Sequence, residues 1–377
     1  MKLVDKTKDN KLVQLKINDE ICDSKTLNGT AIWQVDETGA LTKAFQNKEI
    51  SPIIRFFKEK KKIVFLDRQT IGEDVSMEPL EQLGHITYYD EPVGEGIIAA
   101  IKDAQIVITN KVVITQEILN QVNKLELICV TATGFNHVDV AYANRIGVKV
   151  CNVKGYSTNS VAQHTFALLL DLYHKNAYYH DYISSGCYSS SSLFTHFGRS
   201  FHELAGKKWG VVGMGDIGRK VASIAEVFGC EVQYYSTSGQ NNQQNYKQVD
   251  FDTLLTTSDI ISIHAPLNEN TENLFDTYAF KKMKPTSYLI NVGRGKIISE
   301  IDLTKALDDG EIAGAGLDVF ECEPFYQDSP LLTIQDKTKL IMTPHIAWAS
   351  IEARNRVIEE VALNITAYLL DEPRNIL

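Results

Sequence analysis

The chain has 377 residues, 44% apolar and 23% charged, with 23 Gly and 9 Pro, a composition that excludes disordered and fibrous proteins. This length suggests about two domains, each large enough to bury a core without disulfides or metals. Lys and Arg number 38 against 48 Asp and Glu, and the formal charge of −10 disfavours nucleic acid and anionic lipid as partners. The basic run Lys58–Lys62 is broken by Glu59 and reads as solvated surface.

No apolar stretch approaches the roughly 20 residues needed to cross a bilayer. The opening Met1-Lys2-Leu3-Val4-Asp5-Lys6 lacks the apolar centre of a signal peptide, so a cytoplasmic protein with no membrane partner is expected. Six cysteines (Cys22, Cys129, Cys151, Cys187, Cys230, Cys322) form no C-x-x-C pair and read as reduced structural thiols. The nine histidines are dispersed, and no metal site is expected.

Residues 1–61 are polar, with apolar side chains too widely spaced to build a core, and read as an N-terminal extension of unknown role. From Lys62, β-rich runs at 63–66, 86–89, 106–109, 127–130 and 148–151 alternate with helical periods at about 74–83, 95–102, 115–123 and 138–145. Such alternation predicts a parallel sheet covered on both faces. One long amphipathic helix is expected from Ser160 to about Tyr182, followed by a Ser-rich loop through Ser189–Ser192. A second alternating series follows, with strands near 209–213, 231–235, 259–264, 287–292, 313–318 and 339–343. Residues 350–370 form a final helix expected to pack on the first series.

The first chemical motif is Gly213-Met214-Gly215-Asp216-Ile217-Gly218, a G-x-G-x-x-G between a strand and a helix. Gly213 permits the tight turn, Gly215 lets the backbone approach a pyrophosphate, and Gly218 lets helix and strand pack closely. The helix N-terminus then offers N–H groups and a positive dipole end to the phosphates. The acid that normally grips the ribose at the end of the second strand is absent, because Tyr235 is followed by Ser236-Thr237-Ser238. Ser236 is therefore the expected ribose contact. The Gln- and Asn-rich loop Gly239–Asn245 supplies no Arg or Lys, which leaves NAD favoured and NADP open.

Three strand ends carry the remaining chemistry: Asn291-Val292-Gly293-Arg294-Gly295, then Asp318 and Glu323, then Thr343-Pro344-His345. An Arg in a Gly-Arg-Gly turn can present a bidentate fork to a carboxylate and polarise an adjacent keto group, a task for Arg294. A His can protonate the carbonyl oxygen as hydride arrives, and a paired carboxylate keeps it charged and oriented, which suits His345 and Glu323.

These segments, with the fingerprint and Ala132-Thr133-Gly134, Tyr156-Ser157-Thr158, Val161-Ala162-Gln163-His164, Leu317-Asp318-Val319-Phe320 and His345-Ile346-Ala347-Trp348, resemble the D-isomer-specific 2-hydroxyacid dehydrogenase family. The likeness runs from about Lys62 to the C-terminus and is closest to the glycerate dehydrogenase (hydroxypyruvate reductase) branch. It implies catalysis by Arg294, Glu323 and His345, with Thr133 and Gly134 giving backbone N–H groups to the substrate carboxylate and Asp318 at the nicotinamide carboxamide. The expected cofactor contacts are Gly213, Gly215, Asp216, Ile217, Gly218, Ser236, Pro266, Thr271, Val292, Gly293 and Asp318.

The expected fold class is α/β, with two doubly wound, Rossmann-like parallel-sheet domains and a cleft between them. The cofactor domain, 163–342, would be inserted in a substrate domain made of 62–162 and 343–377. The resemblance implies a homodimer formed through cofactor domains, with the apolar helix after Ser160 as the candidate contact. His164 and His196 are expected in structural or interface roles, and Trp348 either lines the pocket or belongs to the core. The expected activity is NAD(P)-dependent interconversion of hydroxypyruvate and D-glycerate. D-lactate-type and phosphoglycerate-type dehydrogenases are alternatives, and a dinucleotide-sensing co-repressor is the alternative of another class.

Overall fold

The computed structural model describes residues 61–239 and 245–377 with their side chains and, before them, the backbone of five short strands. These are β1 (Lys2–Lys6), β2 (Leu12–Ile17), β3 (Glu20–Lys25), β4 (Trp33–Val35) and β5 (Leu41–Lys43), paired antiparallel as β1-β2-β3 and β4-β5. The rest of the expected extension before Lys61, and residues 240–244 of the Gln- and Asn-rich loop, lie outside the described residues.

The chain divides into two compact units, Met1–Tyr156 with Ile351–Leu377, and Ser157–Ser350. The second unit thus interrupts the first, with boundaries at Ser157 and Ser350 instead of the expected 163 and 342. A tertiary bond accounts for the difference. Ser160 Oγ donates to the Ala347 carbonyl at 2.6 Å and accepts from the Ser350 amide at 3.4 Å, stitching residues after the last strand to the second unit's first helix.

The first unit holds β6 (Lys61–Phe65), β7 (Gly84–Tyr88), β8 (Ile106–Thr109), β9 (Leu127–Val130) and β10 (Lys149–Cys151). All pair in parallel in the order β10-β9-β8-β6-β7, a doubly wound sheet. Every residue of β8 and β9 is buried, as expected of a parallel sheet covered on both faces. The connecting helices are α1 (Glu78–Glu81), α2 (Glu95–Ile101), α3 (Gln116–Leu119) and α4 (Val140–Arg145).

The second unit opens with α5 (Thr158–His174) and α6 (Asn176–Ser184). The single helix expected here is broken at Lys175, which takes φ +56° and caps α5 in the left-handed conformation. α5 buries Val161, Ala162, Thr165, Phe166, Leu168, Leu169, Leu172 and Tyr173, one face at helical spacing.

Seven parallel strands follow: β11 (Lys208–Val212), β12 (Glu231–Tyr235), β13 (Lys247–Gln248), β14 (Ile260–Ile263), β15 (Tyr288–Asn291), β16 (Gly314–Leu317) and β17 (Leu340–Met342). Their order is β13-β12-β11-β14-β15-β16-β17, so the strand order reverses at β11 and β14. Successive residues alternate between two cores. Val211, Ile260 and Ile290 join the face covered by α5 and α7 (Asp216–Val227). Val212, Ile261 and Leu289 join the face covered by α8 (Phe251–Thr257), α9 (Thr277–Lys282) and α10 (Glu300–Asp309).

The chain returns to the first unit in α11 (Ile351–Leu369), whose Arg354 donates to the Ile71 carbonyl at 2.7 Å and to Asp74 Oδ2 at 2.8 Å. No helix among the described residues is long and apolar enough to cross a membrane.

Candidate active site

In an open α/β sheet, ligands bind outside the carboxyl ends of the strands, where the strand order reverses. β11 ends there, in the glycine fingerprint. Gly213 takes φ +90°, and a Cβ on it would lie 2.8 Å from the Ala265 amide nitrogen. A Cβ on Gly218 would lie 2.2 Å from the Gly213 carbonyl oxygen, so only glycine lets α7 sit this close to β11. Gly215 differs, since a Cβ there would meet nothing within 4 Å. It is also the N-cap of α7 and provides no side-chain cap to that helix. Bare backbone before an uncapped helix N-terminus fits a dinucleotide pyrophosphate.

Of the other expected cofactor contacts, Ser236 is buried, and its Oγ has no hydrogen-bond partner among the described residues. The Asp216 carboxylate pairs with Arg219, leaving backbone as what Asp216 can offer, while Ile217 is packed against the α5–α7 core. Thr271 is fully buried and its hydroxyl is committed, donating to the Pro266 carbonyl at 2.7 Å and accepting from the Asn268 amide at 2.8 Å. Thr271 thereby shapes the loop that carries Pro266.

β15 ends in a tight turn. Buried Asn291 accepts from the Gly293 amide at 3.0 Å and donates to the Arg294 carbonyl at 2.9 Å. A Cβ on Gly293 would lie 3.1 Å from the Ala265 carbonyl oxygen, and Val292 is buried beneath. The Arg294 guanidinium donates to the Gly293 carbonyl at 2.8 Å and has no carboxylate partner among the described residues. An unpaired, half-buried guanidinium at a strand end is a ready anion site.

His345 follows β17 with φ +54°, a left-handed conformation uncommon outside glycine. Its amide donates to the carbonyls of Asp318 at 2.8 Å and Thr343 at 3.0 Å. Nδ1 of its ring lies 2.5 Å from Glu323 Oε2, and Glu323 Oε1 accepts from the Phe320 amide at 3.0 Å. The carboxylate is thereby oriented, and Nε2 is the ring nitrogen left for proton transfer. With side chains 23% and 31% exposed, His345 and Glu323 remain reachable.

Asp318, expected at the nicotinamide carboxamide, is fully buried and engaged within the protein. Oδ1 accepts from Thr343 Oγ1 at 2.6 Å and the Ile346 amide at 2.8 Å, and Oδ2 from the Ala347 amide at 2.8 Å. Burial works against its charge, yet His164, Thr343 and the two amides outweigh it and hold the carboxyl below the usual range. What Asp318 does in this structure is fasten the turn that carries His345.

His164 reaches this cluster, which its position in the sequence does not reveal: Nε2 is 2.9 Å from Thr343 Oγ1. His196 does not; it stacks on Tyr182 with centroids 3.7 Å apart and shares a 2.8 Å hydrogen bond with the Tyr178 hydroxyl. Trp348 packs at the margin of the α5–α7 core. Thr133 and Gly134 belong to the first unit, after β9, where Thr133 Oγ1 donates to the Val153 carbonyl at 2.9 Å. No group of three or more metal-ligating side chains occurs among the described residues.

Residues 166–347 match the family described as D-isomer specific 2-hydroxyacid dehydrogenase, NAD binding domain. The chain is 34% identical over 317 residues to the glycerate dehydrogenase of Methylorubrum extorquens, covering 84% of this chain and 98% of that one. It is 35% identical over 321 residues to the hydroxypyruvate reductase of Blautia hydrogenotrophica, covering 84% and 99%. Among solved structures it is similar to D-lactate dehydrogenase from Aquifex aeolicus complexed with NAD and lactic acid, with a TM-score of 0.72 and 28% identity, covering 82% of this chain and 96% of that one. The chain belongs to the D-isomer-specific 2-hydroxyacid dehydrogenase family, with an NAD-binding domain in its second unit.

Proposed function

We propose that the protein reduces a small 2-keto acid, hydroxypyruvate foremost, to the D-2-hydroxy acid, here D-glycerate. The observation that carries this reading is the 2.5 Å bond between His345 Nδ1 and Glu323 Oε2, which leaves Nε2 as the proton donor. A nicotinamide dinucleotide held by the glycine fingerprint and Ser236 would supply the hydride for the keto carbon. Arg294 binds the substrate carboxylate through its fork and draws electron density from the adjacent carbonyl. His345 gives the proton that turns the carbonyl oxygen into a hydroxyl, and Glu323 holds the ring throughout. Thr133 and Gly134 are assigned to the carboxylate through their backbone N–H groups.

The likeness to a glycerate dehydrogenase and a hydroxypyruvate reductase supports the choice of substrate. NADH is the assigned cofactor, with the unpartnered Ser236 hydroxyl on the ribose. Ser236→Asp should then tighten NADH and weaken NADPH, by adding a diol acceptor and a phosphate repeller. We also assign a cytoplasmic location, supported by cysteines that are all free among the described residues.

Homodimerisation is assigned to the segment after α6 instead of α5, whose apolar face is already buried in its own unit. Leu193, Phe194, Phe197 and Phe201, four large apolar side chains within nine residues, are 62%, 90%, 88% and 55% exposed.

The test is NADH oxidation with hydroxypyruvate, glyoxylate, pyruvate and 3-phosphohydroxypyruvate. The highest kcat/KM is expected for hydroxypyruvate. Preference for another keto acid would replace the substrate alone, and no turnover with any of them would sink the enzymatic reading in favour of a dinucleotide sensor.

A further inference from the structure

Asp318 is ionised and has no proton to give, so the 2.6 Å contact between Thr343 Oγ1 and Asp318 Oδ1 takes the hydroxyl proton of Thr343. The same hydroxyl oxygen lies 2.9 Å from His164 Nε2, and with its proton committed it accepts there. His164 therefore carries a hydrogen on Nε2 and points it at Thr343. Its Nε2 is also 3.5 Å from Asp318 Oδ1, so the imidazole lies over both partners at once.

On its far side Asp318 accepts from the Ile346 and Ala347 amides, and its own carbonyl accepts from the His345 amide. Three consecutive backbone donors, from the left-handed His345 onward, thus close on one buried residue. A buried carboxylate of this kind keeps its orientation only while its acceptor sites are filled in a fixed pattern.

We infer that His164 is a positioning residue for the proton donor. It acts through Thr343 and Asp318 and touches neither substrate nor cofactor in this role. Donation from Nε2 turns the Thr343 hydroxyl towards Asp318, the oriented carboxylate holds the 346–347 amides, and the turn presents His345 to Glu323. This rests on the reading of His345 as the proton donor.

The experiment compares His164→Leu, His164→Gln and Thr343→Val with wild type in two readouts. One is kcat and KM for keto-acid reduction together with the NADH Kd. The other is amide hydrogen exchange at Ile346 and Ala347. In His164→Leu we expect kcat to fall tenfold or more, NADH Kd to stay within twofold, and exchange at both amides to speed up. Glutamine can donate from nearly the same place and should restore most of kcat and of the protection. Thr343→Val should reproduce the leucine variant, and the double variant should lose no more than either single one, because one chain of bonds is broken in each.

Unchanged exchange at 346 and 347 in His164→Leu, a glutamine variant as impaired as leucine, or losses that multiply in the double variant would overturn the inference. If His164→Leu does not fold, Thr343→Val with wild-type exchange and kcat overturns it equally well. His345→Ala with full turnover is a different failure. It would remove the donor reading and leave the exchange results to stand on their own.

Discussion

The backbone of Gly295 lies against the Phe320 carbonyl so closely that a Cβ at 295 would be 1.8 Å from the Phe320 carbonyl carbon and 2.5 Å from the Glu321 nitrogen. Both obstacles are main chain, which cannot swing aside like a side chain. The turn that presents Arg294 and the loop that presents Glu323 are therefore in contact through backbone alone.

Gly295→Ala should for this reason strike catalysis at a distance. The Phe320 amide donates to Glu323 Oε1, so a shift of the 320–321 peptide moves the carboxylate that orients His345. Misplacement of a catalytic group by about 1 Å costs on the order of 100-fold in rate. We expect kcat to fall by about that factor while helical circular dichroism is retained. Wild-type kcat in this variant would show that the loop yields without moving Glu323.

Arg294→Ala removes a bidentate charged contact from the site. Such a contact contributes a few kcal/mol, and each ~1.4 kcal/mol is tenfold, so kcat/KM should drop by two to three orders of magnitude. NADH binding, measured by fluorescence titration, should survive because the glycine fingerprint and α7 are untouched. Near-normal turnover of hydroxypyruvate would sink the assignment of Arg294.

How much of this was legible depends on the range of the forces involved. The parallel strands follow from local apolar runs, and the glycine fingerprint from its spacing between a strand and a helix. The break at Lys175 and the boundaries at Ser157 and Ser350 were not, since they rest on a left-handed cap and on Ser160 bonding to a carbonyl far along the chain. The site divides the same way. His345 and Glu323 lie 22 positions apart and were paired by chemistry, whereas His164 lies 179 positions before Thr343 and nothing in its helical surroundings points there. Asp318 was rightly placed at the strand end, but the direction of its carboxylate, inward to the His345 turn, is a tertiary fact.

Acid sensitivity should come first from two histidines that burial keeps uncharged. Burial pushes the His264 imidazole down to about 3. Burial, and then the Lys111 charge, push His137 down to about 4. Trp209 Nε1 donates to Ser262 Oγ, which also hydrogen-bonds His264 Nε2 at 2.9 Å, while the buried Nδ1 has no partner among the described residues. Between the ordinary value of 6.5 and these depressed values, the unfolded chain binds protons that the folded one does not. Stability therefore falls as pH falls through that window, by up to ~1.4 kcal/mol per pH unit for each group, and is unaffected by them above it. Urea midpoints measured from pH 7 to 4.5 should slope less in His264→Asn than in wild type. Parallel slopes would show that His264 is protonated in the folded state.

The exposed aromatic segment gives a separate prediction. If Phe194 and Phe197 meet a second copy, charging them should release monomers, because a carboxylate at a desolvated apolar contact costs several kcal/mol. Light scattering of Phe194→Asp/Phe197→Asp should report half the wild-type mass. An unchanged dimer would move the interface elsewhere on the unit, and a wild-type monomer would remove it.

The direction of the proton transfer sets the last prediction. Only the imidazolium can donate in keto-acid reduction, so kcat/KM for reduction should decline as pH rises, while oxidation of the hydroxy acid needs the neutral ring and should rise over the same range. Glu323 Oε2 sits 2.5 Å from Nδ1 and holds the ring in place. Glu323→Gln keeps a hydrogen-bond acceptor there and removes the carboxylate charge beside the proton in flight. Reduction at neutral pH should fall by about tenfold, and oxidation should fall with it. Arg294 is unaltered, so KM for the keto acid should change little. Both profiles would be recorded for wild type and Glu323→Gln under conditions where chemistry limits, verified by a primary isotope effect with deuterated NADH. Unchanged kcat in Glu323→Gln would mean that orientation alone is what Glu323 supplies, and wild-type profiles that respond to pH in the same direction would mean that one group does not serve both reactions.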